Sequence, residues 1–349
     1  MTGGPAGVAV QATYEVIFGL IVCRGVGGVV AGQRVSPRPG CSVVTHKYPA
    51  AEGSPLVYQA RLPLSTKTLT VVVSALRTYR AAVGSRWRKL PDHTAALIVL
   101  AALRHDQRPA DLAAGYGISP NTVRRWIGQV ITVLAGDAPR LSRVLAAAAR
   151  AGTEVVLLDG TLIPIARPTD RRRRRAHYSG KHKTFGLLVL AITDPRGNLL
   201  WLSAASPGRT AEITAARRHH IPAHLRAANL GALCDLGFTR LDDQPGRSDT
   251  PRPRGHPPGH PDDQPTIITG RRPARRHPLT RHQKTVNQLI ARDRATNEHG
   301  IADLKNWRIL HRLRGYRRHA TTLLRALLML THTHTHRQPP GQPINPKIT

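Results

Sequence analysis

The spacing of hydrophobic positions changes period along the chain. From Leu64 through Leu69, Val72, Val73, Leu76 and Tyr79 the apolar residues recur at helical intervals, and a helical region continues over roughly 91–150. From 154 the period shortens. Residues 155–158 are a continuous apolar run closed by Asp159. Residues 185–193 and 198–205 are two more, separated by the turn Asp194-Pro195-Arg196-Gly197. These runs predict three strands, the last two a hairpin. A helical pattern follows at 212–218, a strand at 230–235 closed by Asp235, and a short strand at 266–269. Residues 279–336 are helical again. Outside these segments, 1–57 show neither helical period nor clear strand alternation and read as a poorly ordered extension or a misassigned upstream start. Residues 242–263 read as a Pro/Arg-rich insert without apolar content, and 337–349 as a loose tail.

The expected organisation is therefore a helical domain over 58–150 and an α/β domain over 151–336. Charge changes the picture of what the chain meets. Lys+Arg number 52 against 20 Asp+Glu, a formal net charge of +32, which is the footprint of a polyanion partner. Most of the cations are arginine, which forks onto phosphate and keeps its charge in all surroundings. No amphipathic helix of the membrane-surface kind stands out, and the apolar stretch 16–23 is too short to span a bilayer. No secretory leader pattern is present. Three cysteines without a C-x-x-C pair indicate neither disulfides nor a thiolate zinc site. A cytoplasmic protein with no membrane partner is expected.

Within the helical region, 110–116 predict a short helix, Gly117 a tight turn, and Ser119-Pro120 a capped helix start. Val123, Trp126, Ile127 and Val130 give the second helix its apolar face. Asn121, Thr122, Arg124 and Arg125 stand on the opposite face. This is the layout of a helix-turn-helix whose second helix offers polar residues to the major groove. An ordinary helical hairpin with a solvated face is the alternative.

In so basic a chain the acids are scarce. Asp159 and Asp235 each close an apolar strand-like run, and Glu298 lies in a helical pattern with Arg294 four residues before it and Lys305 seven after. Each has an ordinary explanation: turn-capping aspartates, and a surface glutamate paired with Arg294. Taken together, three carboxylates could gather hard divalent cations, and two such ions can clamp the attacking and leaving oxygens of a phosphodiester exchange.

The segments LLDGTLIPIAR, HYSGKHKTFGLLVLAITDPRGNLLWLSAASPG, ALCDLGF and NEHGIADLKNWRILHRLR resemble a DDE-superfamily transposase of bacterial insertion sequences, the family conventionally numbered five, with its Harbinger-like nuclease domain. The part from about Tyr58 through SRWRKL to Leu134 is similar to the helix-turn-helix domain that precedes such nucleases. The resemblance covers roughly 58–335. It implies an RNase H-like mixed sheet flanked by helices. It also implies Mg²⁺ or Mn²⁺, two ions, held by Asp159, Asp235 and Glu298, and a double-stranded DNA substrate, the terminal inverted repeats of a transposon, met by a homodimer. Lys181, His182, Arg294 and Lys305 become candidate DNA contacts; a solvated basic loop is the alternative for Lys181 and His182. The chain departs from the family at Glu212, where relatives tend to have Asp. It departs also at Ala291, where an aromatic is usual, and at Arg240, where Gly is common. Glu212 is an optional further metal ligand. The insert and the run 171–175 resemble the drift of a decayed element. His332, His334 and His336 read as a low-complexity tail, a strand-like metal clip being the alternative. Three functions follow: a transposase that cleaves and joins DNA, a decayed transposase that only binds it, and a metal-dependent endonuclease without strand transfer.

Overall fold

The computed structural model describes residues 13–17, 20–24, 59–87, 89–241, 267–273, 278–313 and 316–334. The insert 242–263, His336 and the tail 337–349 lie outside the described residues. The chain divides into two compact units, Met1–Gly128 and Gln129–Thr349.

In the first unit, strands β1 (Thr13–Ile17), β2 (Leu20–Arg24) and β3 (Gln59–Leu62) form an antiparallel sheet in the order β2-β1-β3. Two of these strands fall in the segment 1–57, whose sequence shows no clear strand alternation. The segment Thr13-Tyr14-Glu15-Val16 does alternate polar and apolar, but it is short and set among glycines, so the pattern drowns. Helix α1 (Thr66–Ala82) starts at Ser65, whose side chain accepts from the Thr68 amide. Helix α2 (Asp92–His105) pairs with it. Asp92 is buried at the start of α2, where Arg77 Nε donates to Oδ2 at 2.9 Å and Arg80 pairs with Oδ1. Helix α3 (Pro109–Gly115) and helix α4 (Pro120–Asp137) follow, joined by a turn with Gly117 at φ 59. Ser119 Oγ accepts from the Thr122 amide at 3.3 Å. The division between units falls inside α4, earlier than the boundary drawn at 150, because α5 (Leu141–Arg150) packs into the core of the second unit.

That core is built on a mixed sheet. Strands β4 (Val155–Pro164), β6 (Thr184–Thr193) and β7 (Leu199–Leu202) form an antiparallel meander, while β9 (Gly231–Cys234) and β10 (Ile267–Thr269) add in parallel on the other side of β4. Two short strands, β5 (Tyr178–Ser179) and β8 (Ser206–Pro207), pair with the start of β6. Alternation along the strands divides the faces. Val156, Leu158, Leu188, Leu190 and Ile192 pack with α5, α7 (Glu212–Arg218) and α8 (Ile221–Ala227). Leu157, Leu187, Val189 and Ala191, also buried, take the opposite parity. Helices α9 (Arg281–Lys305) and α10 (Arg317–His334) complete the unit, α9 contacting β4, β6 and β7, and α10 contacting β7. Between β5 and the end of β4 lies α6 (Arg171–His177), whose N-cap Asp170 accepts from the Arg173 amide.

Two expectations change. Asp159 lies in the middle of β4, not at its end: β4 runs on to Pro164 because it keeps its antiparallel partner β6 after its parallel partner β9 has stopped. His332 and His334 belong to α10, not to a tail. On a helix, residues two apart diverge by about 200°, so His332 and His334 do not share a face as a strand-like clip requires. His332 donates instead through Nε2 to the Leu199 carbonyl, and burial lowers its pKa.

The placement of α9 rests on glycine. Asp194 closes the β6–β7 turn by accepting from the Arg196 and Asn198 amides at 2.9 and 2.8 Å. Gly197 completes it at φ 80, and a Cβ there would lie 2.4 Å from the Thr296 carbonyl oxygen on α9. A Cβ on Gly300 would lie 2.6 Å from the Gly197 carbonyl. Thr193 Oγ1 donates to buried Asn297 at 3.0 Å. Gly152 has nearly the same φ, 79, with nothing within 4 Å, so it is a matched control. Gly152→Ala should cost about 1–2 kcal/mol, the strain of a left-handed alanine. Gly197→Ala should cost about 1–3 kcal/mol more, because helix backbone must also move. Denaturant unfolding of the two variants measures the difference. Equal losses would show that α9 does not depend on this contact.

Candidate active site

The site begins where a ladder ends. The last paired residues of β4 and β9 are Leu158 and Cys234. The next residue after each is an aspartate, so Asp159 within β4 and Asp235 just past the end of β9 follow the same paired level. Beyond them β9 gives way to a 3-10 turn, Leu236–Phe238, anchored by the fully buried Phe238 ring and by the Phe238 amide donating to the Asp235 carbonyl at 2.9 Å. Cys234 is buried, and burial pushes its thiol up, so it packs as a neutral group.

Asp159 shares the parity of Leu157. From α9, Arg294 extends its guanidinium between the two aspartates, with Nη2 3.7 Å from Asp159 Oδ1 and Nη1 3.7 Å from Asp235 Oδ1. Its Nε is buried and finds no acceptor among the described residues. Asp159 Oδ1 also accepts from the Gly160 amide at 2.8 Å. Burial nevertheless raises the Asp159 carboxyl above the usual carboxylate range. The Gly160 amide and Arg294 oppose the rise, and the charges of Glu212 and Asp235 add to it.

A third carboxylate approaches from the other side. Glu212, the first residue of α7, runs against Gly160, where a Cβ would lie 2.7 Å from its Cγ, and against Gly237, where a Cβ would lie 2.5 Å from its Oε2. Lys181 Nζ donates to Glu212 Oε1 at 3.0 Å from the turn between β5 and β6. The Lys181 ammonium pKa is raised by the hydrogen bond to Glu212, against a smaller opposing effect of burial, and further by the charges of Glu212, Asp235 and Asp159.

The structure thus brings together Asp159, Asp235, Glu212, Arg294 and Lys181. Glu298 lies one helical turn beyond Arg294, with an exposed side chain, and Lys305 is exposed at the end of α9. His182 is exposed beside Lys181. In the first unit, Asn121, Arg124 and Arg125 are exposed and Thr122 half-buried at the start of α4, and Val123 is fully buried. Arg124 donates to Asn121 Oδ1 at 2.8 Å. Among the described residues no three His, Cys, Asp or Glu groups stand arranged to hold a metal ion. The residues that sequence reasoning passed over are Gly160 and Gly237; the signal was present, since each aspartate is followed within two residues by a glycine.

The family model for DDE superfamily endonucleases matches residues 158–332, half of the 349-residue chain. The chain belongs to this family. Comparison with curated proteins and with solved structures gave no match. Endonucleases of the DDE superfamily use divalent metals, and the matched span contains Asp159, Asp235 and Glu298. The donor set fits such an ion in its chemistry, since the carboxylate oxygens are hard. Here Arg294 and Lys181 set positive charge against those carboxylates. No helix among the described residues is long and apolar enough to cross a membrane.

The raised carboxyl has a stability consequence of definite sign. Folding favours the protonated form of Asp159, so its contribution is present below the ordinary carboxylate pKa and is lost as pH rises through the raised value. Asp159→Asn should therefore melt higher than the wild type in metal-free neutral buffer, by about 0.5–2 kcal/mol, and lose that part of the pH dependence. Thermal melting across acidic to neutral pH checks this. A variant less stable than the wild type at neutral pH would show that the Arg294 and Gly160 contacts outweigh burial.

Proposed function

We propose that the chain is a transposase: a metal-dependent DNA endonuclease that cleaves and joins the ends of an insertion sequence. The observation that carries this reading is that Asp159 and Asp235 each follow the last pair of β4 and β9, Leu158 with Cys234, and are bridged by Arg294, inside the span matched by the endonuclease family. An antiparallel meander of β4, β6 and β7 with β9 and β10 added in parallel supports an RNase H-like description of the sheet.

Asp159 and Asp235 would hold the Mg²⁺ or Mn²⁺, with Glu298 brought to them by the same helix that carries Arg294. When bound, such ions supply charge neutralisation and nucleophile activation for phosphodiester exchange. The chain's own residues do the rest. Arg294, Glu298 and Lys305 are four and eleven residues apart on α9, which places them within about 40° of one another on the helix. The two cations can grip the DNA phosphates flanking the acid between them. Lys181 and His182 reach the same edge from the β5–β6 turn. The α3–α4 pair reads as the helix-turn-helix that holds the terminal inverted repeats, with Arg124 held by Asn121 on its exposed face. A homodimer would bind two ends together.

A second reading has one observation in its favour: the acidic edge is already met by Arg294 and Lys181, as in a chain that keeps DNA binding without cleavage. A gel assay on labelled end DNA with Mg²⁺ or Mn²⁺, run beside a binding assay, decides between them. For a transposase, Asp235→Asn and Glu298→Gln should retain end binding and lose cleavage and joining by several orders of magnitude. Arg124→Ala or Arg125→Ala should weaken end binding by about 1–3 kcal/mol and relax its specificity. A wild type that binds ends and never cuts establishes the binding-only protein. Cleavage without joining establishes a simple endonuclease. A Glu298→Gln variant that cuts normally removes Glu298 from the site.

A further inference from the structure

Glu212 has more space cleared for it than any turn requires. Gly160 and Gly237 follow the two aspartates, on two different strands, and a methyl group at either would collide with the Glu212 side chain, at Cγ 2.7 Å away and at Oε2 2.5 Å away. The pathway also has a direction. Gly160 has the parity opposite to Asp159 on β4, so Glu212 enters from the α7 side of the sheet, while Arg294 meets Asp159 from α9. The Glu212 side chain is only 11% exposed, whereas that of its partner Lys181 is 61% exposed. Lys181 stands in an exposed turn, Gly180 to Lys183, on a stem of four methylenes. Without a tether such an ammonium samples many rotamers, and fixing it costs side-chain entropy.

We infer that Glu212 is a positioning residue for Lys181: its carboxylate, threaded between Gly160 and Gly237, holds the Lys181 ammonium at the Asp159–Asp235 edge, where that ammonium binds a phosphate of the DNA. The inference rests on the nuclease reading for the identity of the substrate. It assigns Glu212 a role other than metal ligand, since one of its oxygens is taken by Lys181. It also explains why glutamate works where relatives favour aspartate. The longer side chain passes both glycines and still meets the lysine.

The test uses the full chain with Lys181→Gln, Glu212→Ala, Glu212→Asp and the Lys181→Gln/Glu212→Ala double variant. Affinity for a labelled random-sequence duplex is measured against salt, and Mn²⁺ affinity by calorimetry. Lys181→Gln and Glu212→Ala should each weaken duplex binding by about three- to tenfold and lower the salt slope by about 0.9, one phosphate contact. The double variant should be no weaker than Lys181→Gln. Glu212→Asp, which keeps the charge and is one methylene shorter, should behave like Glu212→Ala. Mn²⁺ affinity of Glu212→Ala should stay within about threefold of the wild type, as expected for a charge acting at a distance. Additive losses in the double variant, or undiminished DNA binding by Glu212→Ala, would overturn the pairing. A hundredfold loss of Mn²⁺ affinity in Glu212→Ala would make it a metal ligand and overturn the assignment. A wild type that neither binds Mn²⁺ nor cuts DNA overturns the nuclease reading alone; non-additive loss of duplex binding would still support the Lys181–Glu212 pair.

Discussion

Two carboxylates that each follow the last pair of adjacent parallel strands repel one another, and the surrounding structure is arranged around that repulsion. Burial strengthens it, because half-buried charges are poorly screened. The relief comes from two cations on different elements: Arg294 of α9, between the aspartates, and Lys181, tied to Glu212. Arg294 is held loosely enough to have another use. The Arg294 contacts are 3.7 Å ion pairs, longer than a hydrogen bond, and its Nε finds no acceptor among the described residues. A buried donor left unsatisfied costs about 1–3 kcal/mol, so the guanidinium sits in a position that a better partner can empty.

Asp159 is fixed by its pairing with β6 and Asp235 by the turn that follows β9, but Arg294 is fixed only as well as α9 is. That helix is secured by backbone approach as well as by apolar packing: Gly197 and Gly300 let the β6–β7 turn and the helix touch, and Thr193 bonds Asn297 between them. Farther on, Trp307 is buried and donates to Thr331 of α10 at 3.0 Å, anchoring the chain where α9 ends. The contacts lie at Thr296, Asn297 and Gly300, on either side of Glu298. The register of the helix against the sheet is therefore set within one turn of the acid that sequence similarity singles out.

Much of this was legible from residue order. The three apolar runs became β4, β6 and β7, the pattern at 212–218 became α7, and 267–269 became β10. Asp159 and Asp235 could be picked out because a scarce acid ended each apolar run. What stayed hidden was non-local. The continuation of β4 past Asp159 depends on β6, a partner some thirty residues away, so the run of apolar residues marked the end of one pairing and not of the strand. Helix α6 escaped because five consecutive arginines have no apolar period; the cap at Asp170 and the Arg173 guanidinium 4.8 Å from the Tyr316 ring centroid hold it in place. His332 was masked by its Thr-His repeat, whose composition said nothing of the carbonyl it would meet on β7.

The departures from the family pattern can now be weighed one by one instead of as a sum. Arg240 stands at φ 67, a left-handed conformation that glycine adopts freely, so the usual residue there is explained by backbone and the change costs about 1–2 kcal/mol of strain without touching the acids. Its carbonyl accepts from Arg217 at 2.7 Å, which ties the strained turn to α7. The run 171–175 forms a capped helix and so belongs to the fold. Glu212 is the departure with a chemical consequence, because it alters which groups reach the acidic edge. An aspartate at 212 would end one methylene sooner, short of the place where Oε1 receives the Lys181 ammonium. Lengthening that side chain turns a carboxylate beside the aspartates into a tether for a cation, and the two glycines are what give it passage.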